Sequence, residues 1–414
     1  MTGKQTFIIV GAGLAGAKAA ETLREEGFDG RLVVIGSEAE RPYERPPLSK
    51  EYLRGEVARE DVYVHGEDFY ADREIELRLG RAAVSLDTSI GEVGLDDGKR
   101  LRYDRLLIAT GATPRRLSAA GEALDGVFYL RSVQDSDELR ARLDRGGSLV
   151  VVGAGWIGTE VAASARQRGL DVTVVDPLSV PLERVLGIEV GAIYRDIHTD
   201  HGVRMLLSSG IAAIEGADSV ERVRTSTGET IDCDLVVVGV GVRPCTALAL
   251  DGGLYVDDGI VVNERLQTSM PGVFAAGDVA MTHSPLTGRR MRLEHWANAL
   301  HQGPAAARNM LGRAQPYDRV PYFFSDQYEV GMEYAGYARD WDRVVFRGDP
   351  ASREFIAFWL RGARVLAGMN VNVWDVNDSI ARLIHERVPV DDRRLADPGV
   401  ALHELAPATE AGAA

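Results

Sequence analysis

Leu149-Val150-Val151-Val152-Gly153-Ala154-Gly155-Trp156-Ile157-Gly158 is the stretch that decides the fold. Its first four residues form an apolar run of strand type, and each glycine after them meets a separate demand. Gly153 permits a tight turn, Gly155 lets a pyrophosphate approach the backbone, and Gly158 lets the next helix pack against the sheet. The helix that starts here aims free N–H groups and about half a unit of positive charge at phosphate oxygens. The following strand, Asp171 to Val175, ends at Asp176, 18 residues past Gly158. A carboxylate there can accept both adenosine-ribose hydroxyls and repels a 2′-phosphate, so the unit reads as an NADH site.

A second copy makes the motif informative. Val10-Gly11-Ala12-Gly13-Leu14-Ala15-Gly16 follows the strand Thr6 to Val10. A helix from Leu14 to Glu26 and a strand from Arg31 to Ile35 complete the βαβ unit. Gly36-Ser37-Glu38 comes next, where Glu38 or, more weakly, Ser37 would hold the ribose of a first dinucleotide. Two dinucleotide sites in one chain imply two dinucleotides exchanging electrons.

Composition bounds the alternatives. At 414 residues with 45% apolar side chains the chain is long enough for two to four ordinary globular domains. A net charge of −15 disfavours general nucleic-acid affinity, which needs Lys and Arg in excess. The two cysteines, Cys233 and Cys245, have no CxxC spacing. They exclude a disulfide framework, a redox-active pair of that kind and a cysteine-ligated zinc or iron–sulfur centre, so no metal is expected. No apolar run approaches the ~18–20 residues of a membrane span. The first strand starts too early to leave room for a secretory signal. A cytoplasmic, soluble protein without membrane or nucleic-acid partners is the expectation.

Elsewhere in the chain, Arg41 to Lys50 reads as a proline-stiffened loop, neither strand nor helix. Its Arg45 and Lys50 suit a pyrophosphate and an electron-rich ring. Short strands follow from Glu76 to Leu79 and Ala83 to Asp87, then a hairpin around Asp97-Gly98. A buried strand ends at Ala109-Thr110-Gly111, whose small residues admit a cofactor. The strand Asp234 to Val238 likewise ends in a glycine pair, Gly239 and Gly241. Gly277-Asp278 closes another strand, where the carboxylate can meet a polyol. A helix is expected from His295 to Leu311. Beyond Pro321 come aromatic-rich strands and a helix from Val376 to Glu386, then an Ala-rich tail expected to be disordered. The domains are expected at 1–112 with 246–320 for the first dinucleotide, 113–245 for the second and 321–405 at the C-terminus.

With these motifs in this order, the chain resembles the glutathione-reductase-like flavoproteins. The implied fold is α/β, with two Rossmann-like dinucleotide-binding domains and a small α+β C-terminal domain. Arg45-Pro46-Pro47-Leu48-Ser49-Lys50, Trp156-Ile157-Gly158-Thr159-Glu160 and Arg292-Leu293-Glu294-His295-Trp296-Ala297-Asn298 resemble a narrower family. That family is the FAD-dependent, NADH-using ferredoxin reductases of bacterial oxygenase systems, whose members occur as monomers or homodimers. The resemblance implies FAD on the first glycine turn and NADH on the second. It places the Val84 backbone beside the adenine and Asp278 on the ribityl chain. Arg131 would contact FAD, Lys50 would lie near the flavin ring, and Trp296 would lie near the nicotinamide side. Ser37 stands where many relatives carry an acid, Phe324 where they usually carry Trp, and Asp176 replaces the commoner Glu.

The implied chemistry is hydride transfer from NADH to flavin, then single-electron transfer to a [2Fe-2S] ferredoxin. It needs no general base or nucleophile. Lys50 and Glu160 are expected as a partly dry ion pair beside the ring. From Arg289 to Arg313 five arginines face one acid, Glu294, so Arg289, Arg290 and Arg292 are expected to steer an acidic ferredoxin. A rubredoxin reductase or NADH oxidase needs no other residues than these. A thiol-relay reductase needs a cysteine before Lys50, where there is none.

Overall fold

The computed structural model describes residues 4–405, so the expected tail lies outside the described residues. The chain divides into two compact units, one of residues 4–46, 58–113 and 242–319, the other of 47–57, 114–241 and 320–405.

The first unit is built on a parallel five-stranded sheet in the order Val273–Ala275, Arg105–Ile108, Thr6–Val10, Arg31–Gly36, Ile75–Leu79. The central strands are runs of Ile, Leu and Val with almost no exposure, as expected of strands covered on both faces. Helix Leu14–Glu25 buries a face of small residues, including Ala15 and Ala19. Helix Trp296–Met310 crosses it so closely that a side chain at Gly303 would overlap the Ala15 carbonyl.

The second unit repeats the plan with Arg204–Leu206, Asp171–Val175, Ser148–Val152, Leu235–Val238 and Val127–Phe128, again all parallel. It also holds the antiparallel C-terminal sheet, in the order Tyr322–Gln327, Val330–Gly336, Arg364–Val371, Glu354–Arg361, Arg343–Asp349. That sheet packs Phe323, Met332, Phe355 and Trp359 against Leu186, Val190, Tyr194 and Ile197 of the 18-residue helix Glu183–Asp200. The sequence reading names no such helix, because Gly187 breaks its periodicity with a left-handed φ of +78°.

Two expectations shift. Pro46–Ser49 forms a single 3-10 turn inside the expected loop, and Glu51–Arg54, just beyond that loop, forms a short helix. The fixed φ of proline suits such a turn. Residues 47–57 also pack with the second unit, although they lie in the range expected for the first domain. Ser136 and Ser164 hydroxyls donate to the Leu48 and Ser49 carbonyls, at 2.9 and 2.7 Å. Tyr52 donates to Asp137 at 2.5 Å and Arg168 to the Leu53 and Arg54 carbonyls. These bonds tie the short segment to the helices Val133–Leu143 and Trp156–Gln167.

Candidate dinucleotide sites and a buried ion pair

In both glycine turns the first and third glycines answer to the protein itself. Gly11 and Gly153 have φ of +121° and +101°, and a β-carbon on either would press on the carbonyl of Ala109 or Gly239. A β-carbon on Gly16 or Gly158 would overlap the carbonyl of Gly11 or Gly153. The middle glycines differ: a β-carbon on Gly13 or Gly155 would meet no atom within 4 Å. Nothing in the fold requires glycine there, but a pyrophosphate approaching the backbone does. Gly13 and Gly155 also stand at the N-caps of the two 12-residue helices, with no side chain capping either. The open N–H groups suit an anion. Leu14, Ala15, Trp156 and Ile157 begin those helices. Trp156 lies edge-on to Phe323, with ring centroids 4.9 Å apart, and Ile157 is exposed. The two turns therefore fit FAD and NADH pyrophosphates on geometry alone.

Around the first turn, the carboxylate of Glu38 accepts from the Tyr43 hydroxyl and from Arg45 Nη2, while Ser37 is exposed. Arg45 lies in the fields of Glu38 and Asp278 and is held above its ordinary value by Tyr43, Glu38 and Asp278, against the opposing effect of burial. It so brings together three of the expected FAD residues. Val84 is the extra residue of a β-bulge between Ala83 and Ser85, so its backbone stands off the ladder and its side chain is exposed. Thr110 donates to the Cys245 carbonyl at 2.8 Å beside Gly111, and Gly277 N–H donates to Gln302 at 2.9 Å. Trp296 directs its indole N–H at Glu44, a contact that sequence spacing gives no sign of. Burial raises the Glu44 carboxyl above the usual range.

Around the second turn, Asp176 is buried and folds back on the loop. Its two oxygens accept the N–H of Ala154 at 2.7 Å and of Leu178 at 2.8 Å. A carboxylate has about four lone-pair sites, so room for ribose hydroxyls remains. Gly241 has φ of +98° and lies against Arg115. Arg131 belongs to this unit, its N–H donating to Asp135 at the start of the helix Val133–Leu143.

Lys50 and Glu160 come together in the second unit, both under 10% exposed, with Nζ 3.7 Å from Oε1. That distance is an ion pair but not a hydrogen bond. The ammonium otherwise rests 4.7 Å from the centre of the Phe324 ring. Its three donors thus find no hydrogen-bond acceptor among the described residues, which fits a ligand acceptor that the protein does not supply. Glu160 is instead held by two hydroxyls: Ser49 donates to Oε2 at 2.5 Å and Ser325 to Oε1 at 2.7 Å. Sequence reasoning missed both serines, which lie 111 and 165 positions from Glu160.

The arginine cluster is less basic than its sequence suggests. The Arg292 side chain is only 6% exposed and pairs with Asp258 and Glu294, and Arg308 and Arg313 both pair with Glu26. Arg292 therefore cannot lend its charge to a surface, whereas Arg289 and Arg290 stand exposed on the strand Arg289–Met291. Among the described residues, no helix is long and apolar enough to cross a membrane.

Comparison with known proteins gives a consistent picture. A family model described as pyridine nucleotide-disulphide oxidoreductase matches residues 5–303, and one described as reductase C-terminal matches residues 322–406. Putidaredoxin reductase of Pseudomonas putida is 37% identical, over 99% of this chain and 99% of the relative. The ferredoxin--NAD(+) reductase component of the anthranilate 1,2-dioxygenase system of Burkholderia cepacia is 39% identical, over 96% and 98%. A crystal structure of the covalent putidaredoxin reductase–putidaredoxin complex contains a chain that matches with a TM-score of 0.95 at 37% identity, covering 99% of this chain and 100% of that one. The chain therefore belongs to the pyridine nucleotide-disulphide oxidoreductase family, in the group that contains the putidaredoxin and dioxygenase-system ferredoxin reductases.

Proposed function

We propose that this chain is a flavoprotein that passes electrons from NADH through FAD to a [2Fe-2S] ferredoxin serving an oxygenase. The observation that carries the reading is the pair of glycine turns whose middle glycines, Gly13 and Gly155, no contact within the protein demands. Relatives that match nearly the whole chain are named as a putidaredoxin reductase and as the ferredoxin--NAD(+) reductase component of a dioxygenase system, which supports this reading.

FAD belongs on the first turn. Gly11 to Gly16 and Arg45 would take its pyrophosphate, Glu38 its ribose through the shared Arg45, and the Val84 backbone its adenine. Ala109 to Gly111, Gly277 and Asp278 would follow the ribityl chain. NADH belongs on the turn from Gly153 to Gly158, with Asp176 and Gly241. Once bound, FAD converts the two-electron hydride of NADH into the single electrons that an iron–sulfur protein accepts. The chain's own part is electrostatic. The buried Lys50 ammonium, its donors unspent, is proposed to favour negative charge on the reduced ring, and Glu160 balances that ammonium in the dry interior. Trp296, oriented by Glu44, is proposed to limit where the nicotinamide rests. A cytoplasmic setting is proposed because the electron donor is NADH.

Arg289 and Arg290 are the proposed docking arginines for an acidic ferredoxin. Cytochrome c reduction by the holoprotein should rise steeply when a [2Fe-2S] ferredoxin is added. Charge reversal at both arginines should raise the KM for ferredoxin roughly tenfold and leave NADH–ferricyanide activity unchanged. Rapid oxygen uptake with no response to ferredoxin would place the chain with the NADH oxidases instead.

A further inference from the structure

The Lys50–Glu160 pair is the end of a longer buried chain of hydrogen bonds, and the donors in that chain all point one way. A carboxylate oxygen only accepts, so the Ser325 hydroxyl donates to Glu160 Oε1. With its single hydrogen spent, Ser325 must accept from Gln327 Nε2, 3.2 Å away. The Thr159 hydroxyl has carbonyl partners at Gly155 and Trp156, so it too accepts from Gln327 Nε2, at 3.1 Å. Two acceptors on one side fix the orientation of the Gln327 amide. Its oxygen therefore faces His198 Nε2 at 2.9 Å, and that nitrogen must carry the ring proton. Burial holds the His198 ring down to about 4, so the ring is neutral near pH 7 and its Nδ1 accepts from the Tyr328 hydroxyl at 3.1 Å. Ser325, Gln327, Thr159 and His198 are each at most 1% exposed, so water does not compete for these bonds.

We propose that Gln327, backed by His198 and acting through Ser325, is a positioning residue that keeps the Lys50 ammonium unspent for the flavin. Ser325 anchors Glu160 Oε1 and Ser49 anchors Oε2, so the two bonds fix where the carboxylate lies, with its nearer oxygen 3.7 Å from Lys50 Nζ, even though each oxygen keeps a free lone pair. Release of Ser325 would let Glu160 close on Lys50 in a direct charge-assisted hydrogen bond and consume a donor. Successive bonds that all run toward the carboxylate polarise one another and stiffen its placement. The strand Tyr322–Gln327 thereby acts on the pair through Ser325 and Gln327, which share its inward face. The proposal rests on the reading of Lys50 as the residue that serves the flavin.

The test compares Gln327→Met, Ser325→Ala, Lys50→Met and the double variant Lys50→Met/Gln327→Met as FAD-loaded proteins. Gln327→Met and Ser325→Ala should each slow flavin bleaching by NADH roughly tenfold, with the KM for NADH changed less than about twofold. Both should also move the flavin midpoint potential to more negative values, which a loss of stability alone would not do. In the Lys50→Met background, Gln327→Met should add nothing to either readout. Multiplied losses in the double variant would overturn the positioning role while leaving Lys50 in place. An unchanged rate in Lys50→Met alone would overturn the reading of Lys50, and the proposal with it. Nitrogen-15 NMR of histidine-labelled unmutated protein gives a check that no folding defect can obscure. It should find His198 protonated on Nε2 only at pH 7, and a proton on Nδ1 would refute the chain's direction.

Discussion

The two glycine turns are alike in backbone and unlike in what their carboxylates grip. Each needs its outer glycines for its own packing and leaves the middle one open. Glu38, however, leans sideways onto Tyr43 and Arg45, whereas Asp176 doubles back onto the amides of Ala154 and Leu178. One methylene shorter, Asp176 stays within reach of the turn it follows. The pattern of glycines thus specifies where a phosphate lies more firmly than it specifies what meets the ribose.

The most damaging way to probe that comparison is to add side chains to the glycines. Gly16→Val and Gly158→Val should each cost about 3 kcal/mol or more in urea unfolding, because backbone rather than a flexible side chain blocks the way. Gly13→Ala and Gly155→Ala should leave the apoprotein melting temperature within about 2 °C of the original. Gly13→Ala should lose bound flavin, read from its visible absorbance. Gly155→Ala should keep the flavin and raise the KM for NADH. Equal instability from middle and outer glycines would erase the distinction between them.

Changing the carboxylates should have a smaller effect and sharpen the contrast. Asp176→Ala leaves two amides without their acceptor, so a loss of about 1–3 kcal/mol and faster hydrogen exchange at Ala154 and Leu178 are expected. Glu38→Ala, at a half-exposed site, should cost under about 1 kcal/mol, seen as a small change in melting temperature. Acid has an effect of comparable size. The folded value of His198 lies below its unfolded value of about 6.5, so on acidification the unfolded chain takes up the proton first. Stability should therefore fall from about pH 6.5 toward 4, by about 1 kcal/mol at pH 5.5, and His198→Gln should flatten that slope.

Much of the fold could be read in advance, for a physical reason. Runs such as Leu149 to Val152 and Ile8 to Val10 can only be strands covered on both faces, and Gly-x-Gly-x-x-Gly after such a run leaves the backbone few alternatives. The pairing of Lys50 with Glu160 was also legible, through resemblance. Ser49, Ser325, Gln327 and His198 were not, because their partners lie more than 100 positions away and hydroxyls and amides carry no periodic signal. A retrospective sign does exist: Phe323, Ser325 and Gln327 alternate on one buried strand face, and polar residues in a core register call for partners. The arginine cluster misled for the opposite reason. Charge counted along the chain ignores Glu26 and Asp258, which fold back to neutralise it.

The most direct measurement of the central claim is an anaerobic titration of the purified protein, followed in the visible spectrum. One flavin per chain, bleached by one equivalent of NADH, resistant to NADPH and restored to yellow by oxidised [2Fe-2S] ferredoxin, is the expected result. A colourless protein, or a yellow one that NADH leaves unchanged, would contradict the assignment of the two turns to two exchanging dinucleotides.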